Sequence, residues 1–180
     1  NALYRPGPMD FIPQYIEGKN NRDSIVYDCP QLEPILAPTY GCIVYQEQVM
    51  QIVRSLAGYS FGRSDLVRRA MAKKKEKVME AERQNFVYGN KAEGVKGCIA
   101  NGISEEVANK IYNEMIDFAK YAFNKSHAAA YAVVSYQTAY LKCHYPIEFM
   151  AALMTSVRDN TSKVIHYTMN CKELGIPMLS

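Results

Sequence analysis

Cysteine is scarce in this 180-residue chain, and poorly placed for chemistry. Its five copies, Cys29, Cys42, Cys98, Cys143 and Cys171, are odd in number, scattered and never spaced C-x-x-C. That argues against a disulfide framework and against structural zinc, and it fits a reducing, cytoplasmic setting. Cys143-His144 has no second ligand pair beside it, and His166 is a lone imidazole, so no metal ligands are expected. Long apolar runs are missing too. The longest, 128–134, has seven residues, where a membrane-spanning helix needs about 18. No basic-then-apolar leader opens the chain. The phosphate-cradling and nucleophile strings G-x-x-x-x-G-K-[ST], G-x-G-x-x-G and G-x-S-x-G are absent. So is any Asp-x-Asp pair that could hold the two metal ions of an in-line phosphoryl transfer. Neither a catalytic residue nor a bound cofactor is expected within these residues.

What is present is an ordinary globular composition, 48% hydrophobic and 22% charged, which at this length makes one domain or at most two small ones. The net charge of +3 is unevenly spread: residues 63–77 hold seven basic side chains against Asp65 and Glu76, a net +5, leaving −2 for everything else. A concentrated cationic patch on a mildly acidic body suits an anionic partner, with nucleic acid or nucleotide phosphate foremost. The opening Asn1-Ala2-Leu3-Tyr4 and the closing Leu174-Gly175-Ile176-Pro177 read as cut ends, as in a piece excised from a longer protein.

The periodicity predicts a mainly α domain. Asp10 is placed to cap a short helix through Ile16, with Pro13 in its first turn. The only candidate strands are the short β-branched runs 24–27 and 42–45. Tyr45, Val49, Ile52, Val53 and Leu56 recur at helical spacing up to Gly58, which suits a left-handed cap. Helices are expected over 64–72 and 76–88, then a glycine-rich loop over 89–102. Ser104 caps a helix with the stripe Val107, Ile111, Met115, Phe118 and Ala122. Ser126 opens an alanine-rich helix to about His144, Pro146 starts another to about Val157, and a last one buries Val164, Tyr167, Cys171 and Leu174. The chain divides by composition into a turn-rich part (1–58), a basic helical part (59–102) and a helical-bundle part (103–180).

Two strings carry the chemistry. In Leu66-Val67-Arg68-Arg69-Ala70-Met71-Ala72-Lys73-Lys74-Lys75, a helix puts Arg69 and Lys73 four apart, and Arg68, Ala72 and Lys75 along a neighbouring row. Leu66, Ala70 and Met71 would hold the opposite side. Guanidinium offers phosphate a planar two-pronged donor, and lysine adds mobile charge. Solvated helix faces mix signs at i, i+4, and this one barely does. In Phe123-Asn124-Lys125-Ser126-His127-Ala128-Ala129-Ala130-Tyr131, polar and cationic residues meet the N-terminus of a helix, where backbone amides and the helix dipole favour an anion. An ordinary Ser126 cap with a surface His127 explains the same residues. Arg5-Pro6-Gly7-Pro8 is a rigid turn with a minor claim to ligand binding, and Tyr45-Gln46-Glu47-Gln48 is a polar helix start that could orient a partner.

These strings, with Ala2-Leu3-Tyr4-Arg5-Pro6-Gly7-Pro8-Met9, Pro38-Thr39-Tyr40-Gly41, Val44 to Ile52, and Ser135-Tyr136-Gln137-Thr138 through Tyr145-Pro146, resemble in order the bacterial DNA polymerase III α subunits, the DnaE-type or C-family replicative polymerases. Within them the likeness is to the fingers domain. The resemblance implies a helical region that binds the incoming dNTP and primer-template DNA and folds over the palm of the rest of the α subunit, with replisome subunits as further partners. Metal-binding aspartates, and hence Mg2+, belong to the palm in that family. Arg68, Arg69 and His127 match its basic nucleotide-site residues, with Lys73, Lys74, Asn124 and Lys125 beside them. Arg63, Lys75 and Lys77 are candidates for the DNA backbone. Ala72 and Ala122 stand where many relatives have glycine. The fragment alone is expected to be inactive. Two other functions fit the residues: a free-standing nucleic-acid-binding helical module using 63–77, and a helical scaffold for a clamp or clamp loader.

Overall fold

The computed structural model describes residues 2–4, 8–73, 75–119, 121 and 123–178, without the side chains of Ala72, Glu76 and Ala119. Asn1, Arg5, Pro6, Gly7, Lys74 and Ala122, named above, lie outside the described residues. The chain forms two compact units, 1–128 and 129–180. The described residues hold nine α-helices and no strand: α1 Ile12–Asn20, α2 Glu33–Leu36, α3 Gln46–Ala57, α4 Phe61–Ala72, α5 Glu76–Tyr88, α6 Glu105–Ala119, α7 Lys125–His144, α8 Pro146–Ser156 and α9 Thr161–Glu173. None is long and apolar enough to cross a membrane.

The core of the first unit is built on α3. Val49, Ile52, Val53 and Leu56 are almost fully buried, and burying each such side chain stabilises the fold by about 1.5–3 kcal/mol. They meet Val67 and Met71 of α4, Phe86 and Val87 of α5, and Ile111, Tyr112 and Met115 of α6. The Tyr112 hydroxyl donates to the Met79 carbonyl at 2.7 Å, which satisfies its one polar atom. Gly58 takes φ +75 and closes α3 by donating to the Arg54 carbonyl, as its position predicts. In the second unit α8 packs on α9, with Met150 and Cys171 buried.

Several local expectations change. The runs 24–27 and 42–45 form no strands because their backbone donors are satisfied nearby: Ile25 N–H by the Arg22 carbonyl, Cys42 N–H by the Thr39 carbonyl, and Val44 N–H by the Gln48 side chain. One isolated parallel bridge, Tyr45 to Phe123, remains. Helix α1 follows a 3-10 turn, Pro8–Phe11, so Phe11 rather than Asp10 precedes it, and it runs on to Asn20. Ser60, accepting from the Arg63 N–H, caps α4, which begins at Phe61, three residues before the expected start at Ser64. Helices α4 and α5 stay separate across the lysine run, so Lys75 does not share a row with Arg68. Leu66 and Leu174 are exposed rather than packed, while Ala70 and Met71 are buried as expected. Asn124, not Ser126, caps α7: its Oδ1 accepts from the His127 N–H at 3.0 Å.

Candidate functional site

The site begins at the start of α3, where a buried glutamine sets the chain path. Gln48 Oε1 accepts from the backbone N–H groups of Val44 at 2.8 Å and Tyr45 at 2.9 Å. Its Nε2 donates to the Ile35 carbonyl at 3.2 Å and the Thr39 hydroxyl at 2.6 Å. Thr39 in turn donates to the Cys42 carbonyl at 2.6 Å. These bonds fix the extended approach to α3 and so fix where Gln46 and Glu47 emerge.

That approach is stitched to the second cationic string, far along the chain. Phe123 N–H donates to the Val44 carbonyl at 3.1 Å, and Gln46 N–H donates to the Phe123 carbonyl at 3.0 Å. The Lys125 N–H donates to the Glu47 carboxylate, 3.1 Å to Oε2 and 3.3 Å to Oε1. The Lys125 ammonium lies 5.9 Å from the centre of the Tyr45 ring, within cation–π range, and the Phe123 and His127 rings are 5.2 Å apart. A carboxylate facing the first amide of α7 complements its dipole. It also means that the N–H groups of Lys125 and His127 already have protein acceptors, so any anion here would meet side chains first.

The first cationic string arrives from α4. Arg68 donates through Nε and Nη2 to Asp65 Oδ1, at 3.0 and 2.7 Å, and through Nη1 to Gln46 Oε1 at 3.1 Å. Arg69 places Nε 2.7 Å from Asp65 Oδ2. Hydrogen bonding from Arg68, before any other cause, holds the Asp65 carboxyl below its usual pKa. Arg68 is three-quarters buried, whereas Arg69 stays 63% exposed.

Between the two strings opens a cleft of about 530 Å³ lined by Arg68 and Asp65 of α4, Asn124, Phe61, and a face of α3 that includes Gln46, Glu47 and Arg54. Arg68 and Asn124, 56 positions apart in sequence, therefore share one concavity. Arg69, Lys73, Lys125 and His127 are exposed but do not line it. Lys75 and Lys77 are exposed beyond the end of α4. Arg63, expected to face DNA, turns inward instead. It pairs with Glu82 at 2.6 Å and with Glu93, and its guanidinium sits 5.4 Å from the Tyr59 ring centre. The sequence alone marked Gln46 and Glu47 only as part of a polar helix start and Asp65 only as a charge to subtract. The usable signal was the placing of Asp65 three and four residues before the two arginines.

Among the described residues, no group of three or more His, Cys, Asp or Glu is arranged to hold a metal ion. The two carboxylates at the cleft are taken up by guanidinium and amide donors, a poor donor set for a hard cation.

Comparison with known proteins follows the same residues. Positions 1–94 match the family described as the bacterial DNA polymerase III alpha subunit finger domain. DNA polymerase III subunit alpha of Halalkalibacterium halodurans is 48% identical over 179 residues, covering 99% of this chain and 15% of that protein. The subunit alpha of Thermus aquaticus is 49% identical over 183 residues, 99% of this chain and 14% of its own length. That of Bacillus subtilis is 46% identical over 179 residues, with 99% and 15% covered. The chain thus spans about one-seventh of the length of the curated relatives it matches.

Proposed function

The chain belongs to the bacterial DNA polymerase III alpha subunit finger-domain family, and from that premise we propose that it serves a DNA-directed DNA polymerase by gripping the triphosphate of the incoming dNTP. The observation that carries this reading is the cleft shared by Arg68 and Asn124, where a guanidinium and a helix-capping amide from distant segments face one space. Arg69, Lys73, Lys125 and His127 stand exposed around the same two strings; Lys74 is kept in the reading on sequence grounds alone.

Polymerisation joins the primer 3′-oxygen to the α-phosphate and expels pyrophosphate, so negative charge moves onto the leaving phosphates. Guanidinium groups already aimed at that place stabilise the transition state without reorganising. Arg68 and Arg69 take that role, and the Lys125 and His127 side chains add charge and hydrogen bonds from the other side. Lys75 and Lys77 are assigned to the phosphates of primer-template DNA, whose binding is then steeply salt-dependent. The Mg2+ that assists phosphoryl transfer is assigned to the palm of the longer polypeptide.

In the full-length polymerase, Arg69→Ala is expected to raise the KM for dNTP or slow single-nucleotide incorporation about tenfold or more. Unchanged incorporation kinetics for both Arg69→Ala and Arg68→Ala would remove the pair from the nucleotide site.

A further inference from the structure

The two arginines given to the triphosphate follow one another in sequence, and their like charges repel. One carboxylate resolves this. Asp65 gives one oxygen to each: Oδ1 receives Nε and Nη2 of Arg68 at 3.0 and 2.7 Å, and Oδ2 lies 2.7 Å from Nε of Arg69. From a helix this is possible only at i+3 and i+4, which is where Arg68 and Arg69 stand. Both guanidiniums are held by the edge that carries Nε. Arg69, 63% exposed, has no other ion-pair partner among the described residues, so Asp65 alone fixes the direction of its head group. Arg68 has a second anchor in Gln46, 3.1 Å from its Nη1, and that leaves one N–H on each of its terminal nitrogens for a ligand.

Asp65 also lines the cleft. An anion there meets its negative charge, so on charge alone the residue should hinder phosphate binding. Nor does stability explain its hold on Arg69, which is 63% exposed, since exposed helix pairs of this spacing contribute little. Its geometry makes sense for a different task. We propose that Asp65 is a positioning residue, which holds Arg68 and Arg69 side by side as a preorganised two-guanidinium receptor for the phosphates of a nucleoside triphosphate. The inference rests on the nucleotide reading given above. Without the clamp both long side chains must be ordered when the ligand binds, and that cost opposes affinity.

The two influences of Asp65 predict opposite signs, and that makes the test sharp. In the full-length polymerase, Asp65→Asn removes the charge and one of the two acceptors while keeping the shape. Preorganisation predicts about a tenfold rise in the KM for dNTP, with primer-template affinity unchanged and the protein still folded at the assay temperature. It further predicts that Asp65→Asn adds nothing in an Arg68→Ala/Arg69→Ala background. A KM that falls or stays the same would overturn the proposal, because simple charge removal would then account for Asp65. So would a loss of folding in both Asp65→Asn and the smaller Asp65→Ser, which would make its role structural. If instead Arg68→Ala and Arg69→Ala themselves leave nucleotide kinetics untouched, the nucleotide reading fails before Asp65 is at issue.

Discussion

Replacing Gln48 with methionine, which is similar in length and apolar, tests whether this side chain organises the approach to α3. Gln48 is 5% exposed and engages four partners. Methionine fills the space and serves none of them. The Val44 and Tyr45 N–H groups and the Ile35 carbonyl lose their side-chain partner, while Thr39 keeps its bond to the Cys42 carbonyl. A buried polar group left without a partner costs about 1–3 kcal/mol. Tyr45 is only half-buried and can turn to water, so two groups remain at full cost and the expected loss is about 2–6 kcal/mol. That is a large part of the roughly 5–15 kcal/mol that holds a domain together. Urea unfolding followed by circular dichroism measures it directly. Gln48→Glu sharpens the test, because the carboxylate still accepts from Val44 and Tyr45 but now faces the Ile35 carbonyl and Thr39 oxygen as an unwanted third acceptor. Burial and the lone pairs around it raise the pKa of that glutamate in the folded state. The folded state then binds the extra proton more tightly, so the variant should gain stability as the pH drops from about 7 to 5. A methionine variant that loses less than about 1 kcal/mol, or a glutamate variant insensitive to pH over that range, would refute the account of Gln48 as the hub.

The glycines separate in the same assay. Gly97, at φ +86, would place a Cβ 2.4 Å from the backbone nitrogen of Gly89, so Gly97→Ala should cost more than about 2 kcal/mol, whereas Gly62, inside α4 with open space beside it, should tolerate alanine with a gain of about 0.5 kcal/mol. Thiol labelling should find one fast cysteine in the folded chain. Cys143 is exposed, the other four are buried, and burial pushes Cys42 up to about 11 and Cys98 up to about 12. All five should react only in denaturant; a second fast thiol in the folded chain would contradict the burial.

Much of the helical frame was legible because the apolar spacing is strong where it matters. The α3 stripe from Val49 to Leu56 and the α6 stripe from Ile111 to Phe118 are buried as their period demands. Misreadings cluster where a local signal has two outlets. The β-branched 42–45 run looks like a strand, but Gln48 supplies the acceptor that a neighbouring strand would otherwise provide. Ser126 looks like a cap, yet Asn124 two residues earlier has the same capacity and takes the place. Leu66 looks like core in a helix whose buried side is set by Val67, Ala70 and Met71. None of these choices is decided by residue type alone. Each depends on which partner arrives from elsewhere in the chain.

The candidate site shows the same division more sharply. The surplus of positive charge over 63–77 was plain, but net charge does not say which cations are spoken for. Glu82 and Glu93, outside that window, take Arg63 inward; Asp65, inside it, takes both Arg68 and Arg69. What stays exposed without an ion pair among the described residues is Lys73, Lys75 and Lys77, past the end of α4. The charge count therefore describes best the exposed lysines, which on the proposed reading meet phosphates where exact position matters little. A triphosphate receptor needs guanidiniums at fixed places, and fixing them takes acids and amides. Those are the residues a count of positive charge sets aside: Asp65 for the arginines, Gln46 for the second edge of Arg68, and Glu47 for the start of α7. A rise in the KM for dNTP on Asp65→Asn would make an aspartate three and four residues before an arginine pair a sign of preorganisation in basic helices, rather than a charge to subtract.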